Sequence, residues 1–178
     1  AMRSQIEKRF EGQRTSGPPV DLDTLTEFER AVLLKTMEIP YGEVRPYSWV
    51  AREIGRPKAV RAVGSALAGN PITFVIPCHR VVRADGHIGN YGAGGPEAKR
   101  EVLELEGIDV GELERSAGAG VRYTGSDSTY TYCYPSCRHA RRISQRHEVR
   151  FHSAQEAREA GYRPCKVCRP LEGTPFAA

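Results

Sequence analysis

The chain has 178 residues, 39% of them apolar, 8% aromatic and 27% charged, with 18 Gly and 12 Pro. That is the composition of a folded globular protein of one ordinary domain or two small ones, and it excludes collagen-like, coiled-coil and wholly disordered classes. No apolar run approaches the ~20 residues a bilayer span needs, and the first 17 residues lack the apolar core of a secretion signal, so a cytoplasmic protein is expected. The formal charge of +4 is unevenly placed. Residues 111–178 hold 11 Lys and Arg against 7 Asp and Glu, whereas residues 1–110 balance at 15 each. The imbalance suggests two functional halves.

In chain order, residues 1–25 read as an arm, with Thr15-Ser16-Gly17-Pro18-Pro19 as its loop-like part. Thr26 and Glu29 form a capping-box signature, which predicts a helix over about 27–38, ended by Pro40-Tyr41-Gly42. Ser48 can cap a short helix, Trp49 to Ile54; Gly55-Arg56-Pro57 breaks it, and Pro57 suits the first turn of a second helix, Lys58 to Ala68. The pair is a helix-turn-helix candidate. Ile72 to Ile76 reads as a short buried strand leading to Pro77-Cys78, and Ala84-Asp85-Gly86 predicts a β-hairpin between Val81-Val82 and His87-Ile88. Pro96 starts a helix that ends at Glu106-Gly107. The glycines and serine of 109–121 suggest a flexible linker, and Ser153 with Glu156 predicts one more capped helix, Ser153 to Ala160, with Gly161 as its stop.

Five cysteines carry the chemistry. Cys133, Cys137, Cys165 and Cys168 follow the pattern C-x3-C, 27 residues, C-x2-C. Without a secretion signal such spacing points to a structural Zn²⁺ ion, one per chain, rather than to disulfides. Cys78 is the odd thiol, and it lies in Ile76-Pro77-Cys78-His79-Arg80-Val81. A free thiol of pKa ~8.5 is only about 3% ionised at neutral pH, so a histidine held by a carboxylate beside it would make a nucleophile. The plain alternative is a buried inert cysteine beside a surface histidine.

The stretches Pro40-Tyr41-Gly42-Glu43-Val44, Tyr47, Arg61-Ala62-Val63-Gly64, Gly69-Asn70-Pro71, Ile76 through Val82, Gly89-Asn90-Tyr91 and Lys99 through Glu106-Gly107 resemble the catalytic domain of O6-alkylguanine-DNA alkyltransferases. The resemblance implies an α+β architecture: a mostly helical domain with a helix-turn-helix and a β-hairpin, plus a small four-cysteine zinc module. It implies that Cys78 accepts the alkyl carbon irreversibly after the lesion base is flipped out of the duplex. His79 would withdraw the thiol proton through a water and Glu106 would hold the imidazole. Tyr47 would donate to the departing guanine, and Lys99, Val81, Asn90 and Tyr91 would line the pocket. Arg61 would fill the stack on a recognition helix in the minor groove, with Ala59, Ala62 and Asn70 also at the DNA.

Two departures stand out. Family members usually carry an α/β domain ahead of the catalytic part, where this chain has about 25 residues, and some carry Ser where this chain has Gly92.

Tyr132-Cys133-Tyr134-Pro135-Ser136-Cys137, Val149-Arg150-Phe151 and Gly161 through Pro170 resemble the zinc-binding domain of the adaptive-response (Ada) protein. In that family the cysteine matching Cys133 also takes a methyl group from a DNA phosphotriester. Arg138, Arg141, Arg142 and Arg146, four cations within nine residues without an acid, suit flanking phosphates. The expected organisation is an arm (1–25), an alkyltransferase domain (26–108), a linker (109–121), a zinc domain (122–172) and a tail (173–178). The expected partner is double-stranded DNA with alkylated guanine, bound by a monomer at the nucleoid. Rival readings are a lesion sensor that does not transfer, and a zinc-dependent regulator switched by methylation of Cys133.

Overall fold

The computed structural model describes Glu7 and residues 20–170; the expected loop at 15–19 and the tail at 173–178 lie outside the described residues. The chain divides into two compact units. The first comprises residues 20–82 and 88–109 of the described chain, and the second residues 83–87 and 110–170. Among the described residues no helix is long and apolar enough to cross a membrane.

The first unit opens on helix α1, Glu27–Met37. Its start is fixed locally: Thr26 Oγ1 accepts from the Glu29 amide, and Glu29 Oε2 accepts from the Thr26 amide at 2.9 Å, satisfying two donors that a helix N-terminus leaves open. Strand β1 (Arg45–Pro46) runs straight into helix α2 (Tyr47–Glu53). Pro46 occupies the cap position without a side-chain bond, so the expected cap at Ser48 falls inside the first turn, where its hydroxyl is buried.

Helix α3, Val60–Ala68, starts two residues later than expected, because Pro57 sits in the preceding turn. Gly55, at φ +73°, makes the reversal between α2 and α3, a conformation that glycine adopts without a Cβ penalty. The helices bury Val32 and Leu33 from α1, Trp49 and Val50 from α2, and Val63 and Leu67 from α3, which gives this unit its core and holds the helix-turn-helix.

Strand β2 (Val81–Val82) pairs in parallel with β1, Arg45 opposite Val81 and Pro46 opposite Val82. The expected β-hairpin is therefore replaced. Asp85 Oδ1 accepts from the His87 amide at 3.1 Å, and the segment Arg83–His87 closes as a tight turn instead of extending a ladder. The expected strand Ile72–Ile76 is a turn with one isolated bridge, Thr73 to Ile76. Helix α4 covers Gly95–Leu105, with Pro96 in its first turn and Glu106 as its C-cap.

In the second unit, the residues expected to form a flexible linker include helix α5, Val110–Gly118. Val110, Leu113 and Ala117 are buried on one face of it; that spacing outweighs the helix cost of Gly111. A four-stranded sheet follows in the order β5-β3-β4-β6, built from β3 (Tyr123–Ser126), β4 (Thr131–Cys133), β5 (Glu148–Phe151) and β6 (Arg163–Pro164). β3 lies antiparallel to β4 and β5, and β4 parallel to β6.

Helix α6, Ala154–Glu159, is capped by Ser153, whose hydroxyl accepts from Glu156 N at 3.0 Å. Ring pairs make the core: Tyr123 on Tyr132 at 5.3 Å and Phe151 on Tyr162 at 4.8 Å between centroids. Gly125 of β3 is required here, since a Cβ would stand 2.8 Å from the Phe151 ring and 2.9 Å from that of Tyr162.

Candidate active site and metal centre

The reactive turn is set by proline. Pro77, at φ −81° and ψ 62°, is the centre of an inverse γ-turn in which Cys78 N donates to Ile76 O at 2.8 Å. A 3-10 turn, Cys78–Arg80, follows immediately. Cys78 is thus presented on a turn rather than at a strand end as expected. Its Sγ is 3.1 Å from Asn70 Nδ2, which also donates to Ile76 O at 3.0 Å, while Asn70 Oδ1 accepts from Ile72 N. Asn70 follows Gly69, the C-cap of α3. The residue expected at the DNA is buried, and it ties the end of the helix-turn-helix to the sulfur.

His79 is 2% exposed. Its Nε2 meets Glu106 Oε1 at 2.8 Å, and its buried Nδ1 has no partner among the described residues. With Nε2 protonated towards the carboxylate, Nδ1 is the free acceptor of the ring. Burial pushes the His79 pKa below its ordinary value of 6.5, against the pull of Glu106 and with the help of Arg80 and Lys99, so the ring is neutral at neutral pH. Burial also works to raise Glu106, but hydrogen bonds from His79 and Arg80 overcome it and hold the carboxyl at about 2.

Around the sulfur stand hydroxyl and ammonium donors. Tyr91 is pushed up to about 12 by burial and by the charge of Cys78, and Tyr47 is raised by the same two causes, so both phenols keep their protons. Lys99 is completely buried, and its Nζ donates to Val81 O at 2.6 Å and to Asn90 O at 3.2 Å. Burial draws its pKa down to about 8, opposed by Cys78. Asn90 Oδ1 in turn accepts from Tyr91 N at 2.8 Å.

The first unit therefore brings Cys78, His79, Glu106, Tyr47, Lys99, Asn70, Val81, Asn90 and Tyr91 together. Ala59 stands at the N-cap of α3, and Arg61 and Ala62 are exposed on that helix. Gly92 is exposed as well, and a Cβ there would meet Ala68 O at 3.4 Å, ordinary contact that leaves room for a serine.

Sequence reasoning missed Arg80. Its Nε and Nη2 bond the Glu106 carboxylate at 2.8–3.1 Å, and its Nη1 donates to Ile39 O at 2.8 Å. The position was in view beside His79, but no spacing rule joins it to an acid 26 residues away.

In the second unit the sulfur ligand atoms of Cys133, Cys137, Cys165 and Cys168 lie within 4.8 Å of one another, all four residues buried. The parallel pairing of β4 with β6 places Tyr132 opposite Pro164 and so brings Cys133 beside Cys165. A tetrahedral Zn²⁺ at ~2.3 Å from each sulfur sets the sulfurs about 3.8 Å apart, which this cluster fits. Arg141, Arg142 and Arg146 are exposed beyond it and Arg138 is half-buried.

The first unit thus sets a thiol held by Asn70 next in the chain to an imidazole hydrogen-bonded to a carboxylate, in the same unit as a helix-turn-helix, and both units resemble known proteins. Residues 27–108 match the family model described as 6-O-methylguanine DNA methyltransferase, DNA binding domain, and residues 114–171 match that of the metal binding domain of Ada. Among curated relatives, the methylated-DNA–protein-cysteine methyltransferase of Rattus norvegicus is 46% identical over 95 residues, 53% of this chain and 45% of that protein. The protein of the same name from Mycobacterium leprae is 44% identical over 104 residues, 58% of this chain and 62% of the relative. The chain thus spans about half to under two thirds of these relatives. The crystal structure of Mycobacterium tuberculosis OGT in complex with DNA matches with a TM-score of 0.53 at 44% identity, covering 59% of this chain and 63% of that one.

Proposed function

We propose that this protein repairs DNA by taking the alkyl group of O6-alkylguanine onto Cys78 in one irreversible step. The observation that carries the reading is the Cys78 sulfur held by Asn70 beside a neutral His79, whose free Nδ1 is backed by Glu106 on the opposite nitrogen. In the step, the thiol proton passes through a water to His79 Nδ1. The sulfur forms a bond to the alkyl carbon as the carbon–O6 bond breaks, and guanine leaves with the electron pair. The Tyr47 hydroxyl donates to the leaving base, and its raised pKa keeps that proton in place until charge develops. A thioether has no hydrolytic return, so each molecule acts once.

O6 lies inside the stacked duplex, so the base must be swung out; an alkylated pair opens at lower cost than a normal one. Arg61, exposed on α3, would take the vacated position. A single Zn²⁺ on the four cysteines would fold the second unit. The exposed arginines beside it would bind phosphates, a sequence-independent contact that weakens with salt. All four sulfurs would be ligands of that ion, which favours a structural, DNA-docking role over a second acceptor. A monomer serving alkylated duplex DNA at the nucleoid completes the reading.

Incubation with duplex containing O6-methylguanine, followed by peptide mass mapping, tests this reading. The expected product carries one methyl on Cys78 and none on Cys133. An unmodified Cys78 in protein that still binds the duplex would establish a lesion sensor instead. A methyl on Cys133 after exposure to DNA methylphosphotriesters would overturn the purely structural role of the metal site.

A further inference from the structure

We propose that Arg80 is a positioning residue of the alkyl transfer: by occupying both oxygens of Glu106 it fixes the carboxylate that orients His79, and competes with the imidazole for its charge. The proposal rests on the reading that Cys78 is the acceptor, and it concerns how the neighbouring base is kept ready.

Glu106 is a crowded acid. Its side chain is 7% exposed, and it accepts from His79 Nε2 at 2.8 Å, from Arg80 Nε at 2.9 and 3.1 Å, from Arg80 Nη2 at 2.8 Å and from the Gly42 amide at 3.1 Å. His79 and Arg80 share Oε1. Buried with histidine alone, a carboxylate would favour the imidazolium, because a lone buried charge is costly unless matched. An imidazolium has no lone pair to offer, so it could not take the thiol proton.

A guanidinium already matched to the carboxylate removes that incentive, leaving the imidazole neutral while keeping its Nε2 proton aimed at Oε1. The lowered pKa of His79, to which the Arg80 charge contributes, agrees with the geometry. The other groups facing the ring are the Lys99 ammonium, which acts in the same direction, and the edge-on Tyr91 ring at 6.3 Å.

The shape of the side chain matters as well as its charge. Arg80 Nη1 reaches Ile39 O, and its guanidinium lies 5.5 Å from the centre of the Tyr41 ring, while Tyr41 Oη donates to Leu105 O at 3.0 Å. One planar group thus joins the reactive turn, the Ile39–Gly42 segment and the end of α4. A lysine supplies one point charge and cannot reproduce this fork.

The test is the rate at which methyl from an O6-methylguanine duplex appears on Cys78 between about pH 5 and pH 9, in the full chain and in R80Q and R80K, each checked for fold by circular dichroism. In the wild type the rate falls on the acid side as His79 gains a proton. Removing the Arg80 charge in R80Q raises the proton affinity of His79, so the acid limb moves to higher pH by about one unit, with a loss of about fivefold at the wild-type midpoint and about tenfold at the foot of the limb.

R80K keeps the charge, so its limb stays close to that of the wild type at a lower plateau. An R80Q limb that does not move, above a merely reduced plateau, would overturn the proposal and leave Arg80 a structural residue. If R80Q does not fold, R80K decides: a wild-type plateau would contradict the need for the fork. A wild-type protein that transfers nothing at any pH would instead overturn the underlying reading of function.

Discussion

Replacing Cys78 with alanine abolishes alkyl transfer while leaving duplex binding within a few-fold of the wild type. The loss is total because Cys78 is the single cysteine of the first unit, and the remaining four form the metal cluster of the second. The fold should tolerate the change. The sulfur is a small buried group whose removal costs on the order of 1 kcal/mol, and Asn70 Nδ2 keeps its bond to Ile76 O.

Binding should persist because the face of α3 that carries Arg61 and Ala62, proposed to meet the duplex, is untouched. The measurement pairs a repair assay on O6-methylguanine duplex with a binding titration at fixed salt. Residual transfer by C78A would remove Cys78 from the centre of the account. Loss of binding together with transfer would show that the substitution disturbed the fold rather than the chemistry.

Stripping the metal with a chelator unfolds the second unit and leaves the first folded. The second unit is held by two- to four-residue strands and a handful of aromatic rings. A core that small gains much of its stability from a metal, whose binding in comparable cysteine sites is worth about 10–16 kcal/mol. Cys133 and Cys165 anchor neighbouring strand ends, so Cys165→Ala should behave like metal removal.

Amide resonances of β3 to β6 should collapse to unfolded positions, while those of α1 to α4 stay dispersed and methyl transfer to Cys78 continues. The zinc content of the purified protein, expected at one ion per chain, is the accompanying measurement. A metal-free second unit with native dispersion would contradict the role given to the cluster.

Local features of this fold were legible in the sequence, and features made by distant pairing were not. Thr26 and Glu29 lie three residues apart, and the box they form depends on nothing beyond that turn. The four cysteines carry their own spacing, and the Cys78 string carries its family resemblance. The parallel pairing of Arg45-Pro46 with Val81-Val82 has no such signature, because two residues display no periodicity and their partner lies 36 positions on.

The Asp85-Gly86 turn formed as expected, yet its ladder did not, because Val81 and Val82 were already paired elsewhere. In α5, glycine content suggested a linker although Val110, Leu113 and Ala117 fall on one helical face. Asn70 and Arg80 show the same limit at the site. Both stand in motifs that drew notice, but their roles come from contacts, with Cys78 Sγ and with Glu106, that only the folded chain creates.

The account depends on an irreversible capture by one sulfur, and stoichiometry tests that most directly. With O6-methylguanine duplex in large excess, the guanine restored should rise to one equivalent per protein molecule and stop, each equivalent matched by one thioether at Cys78. Restoration that continues past one equivalent, or that proceeds without modification of Cys78, would contradict it.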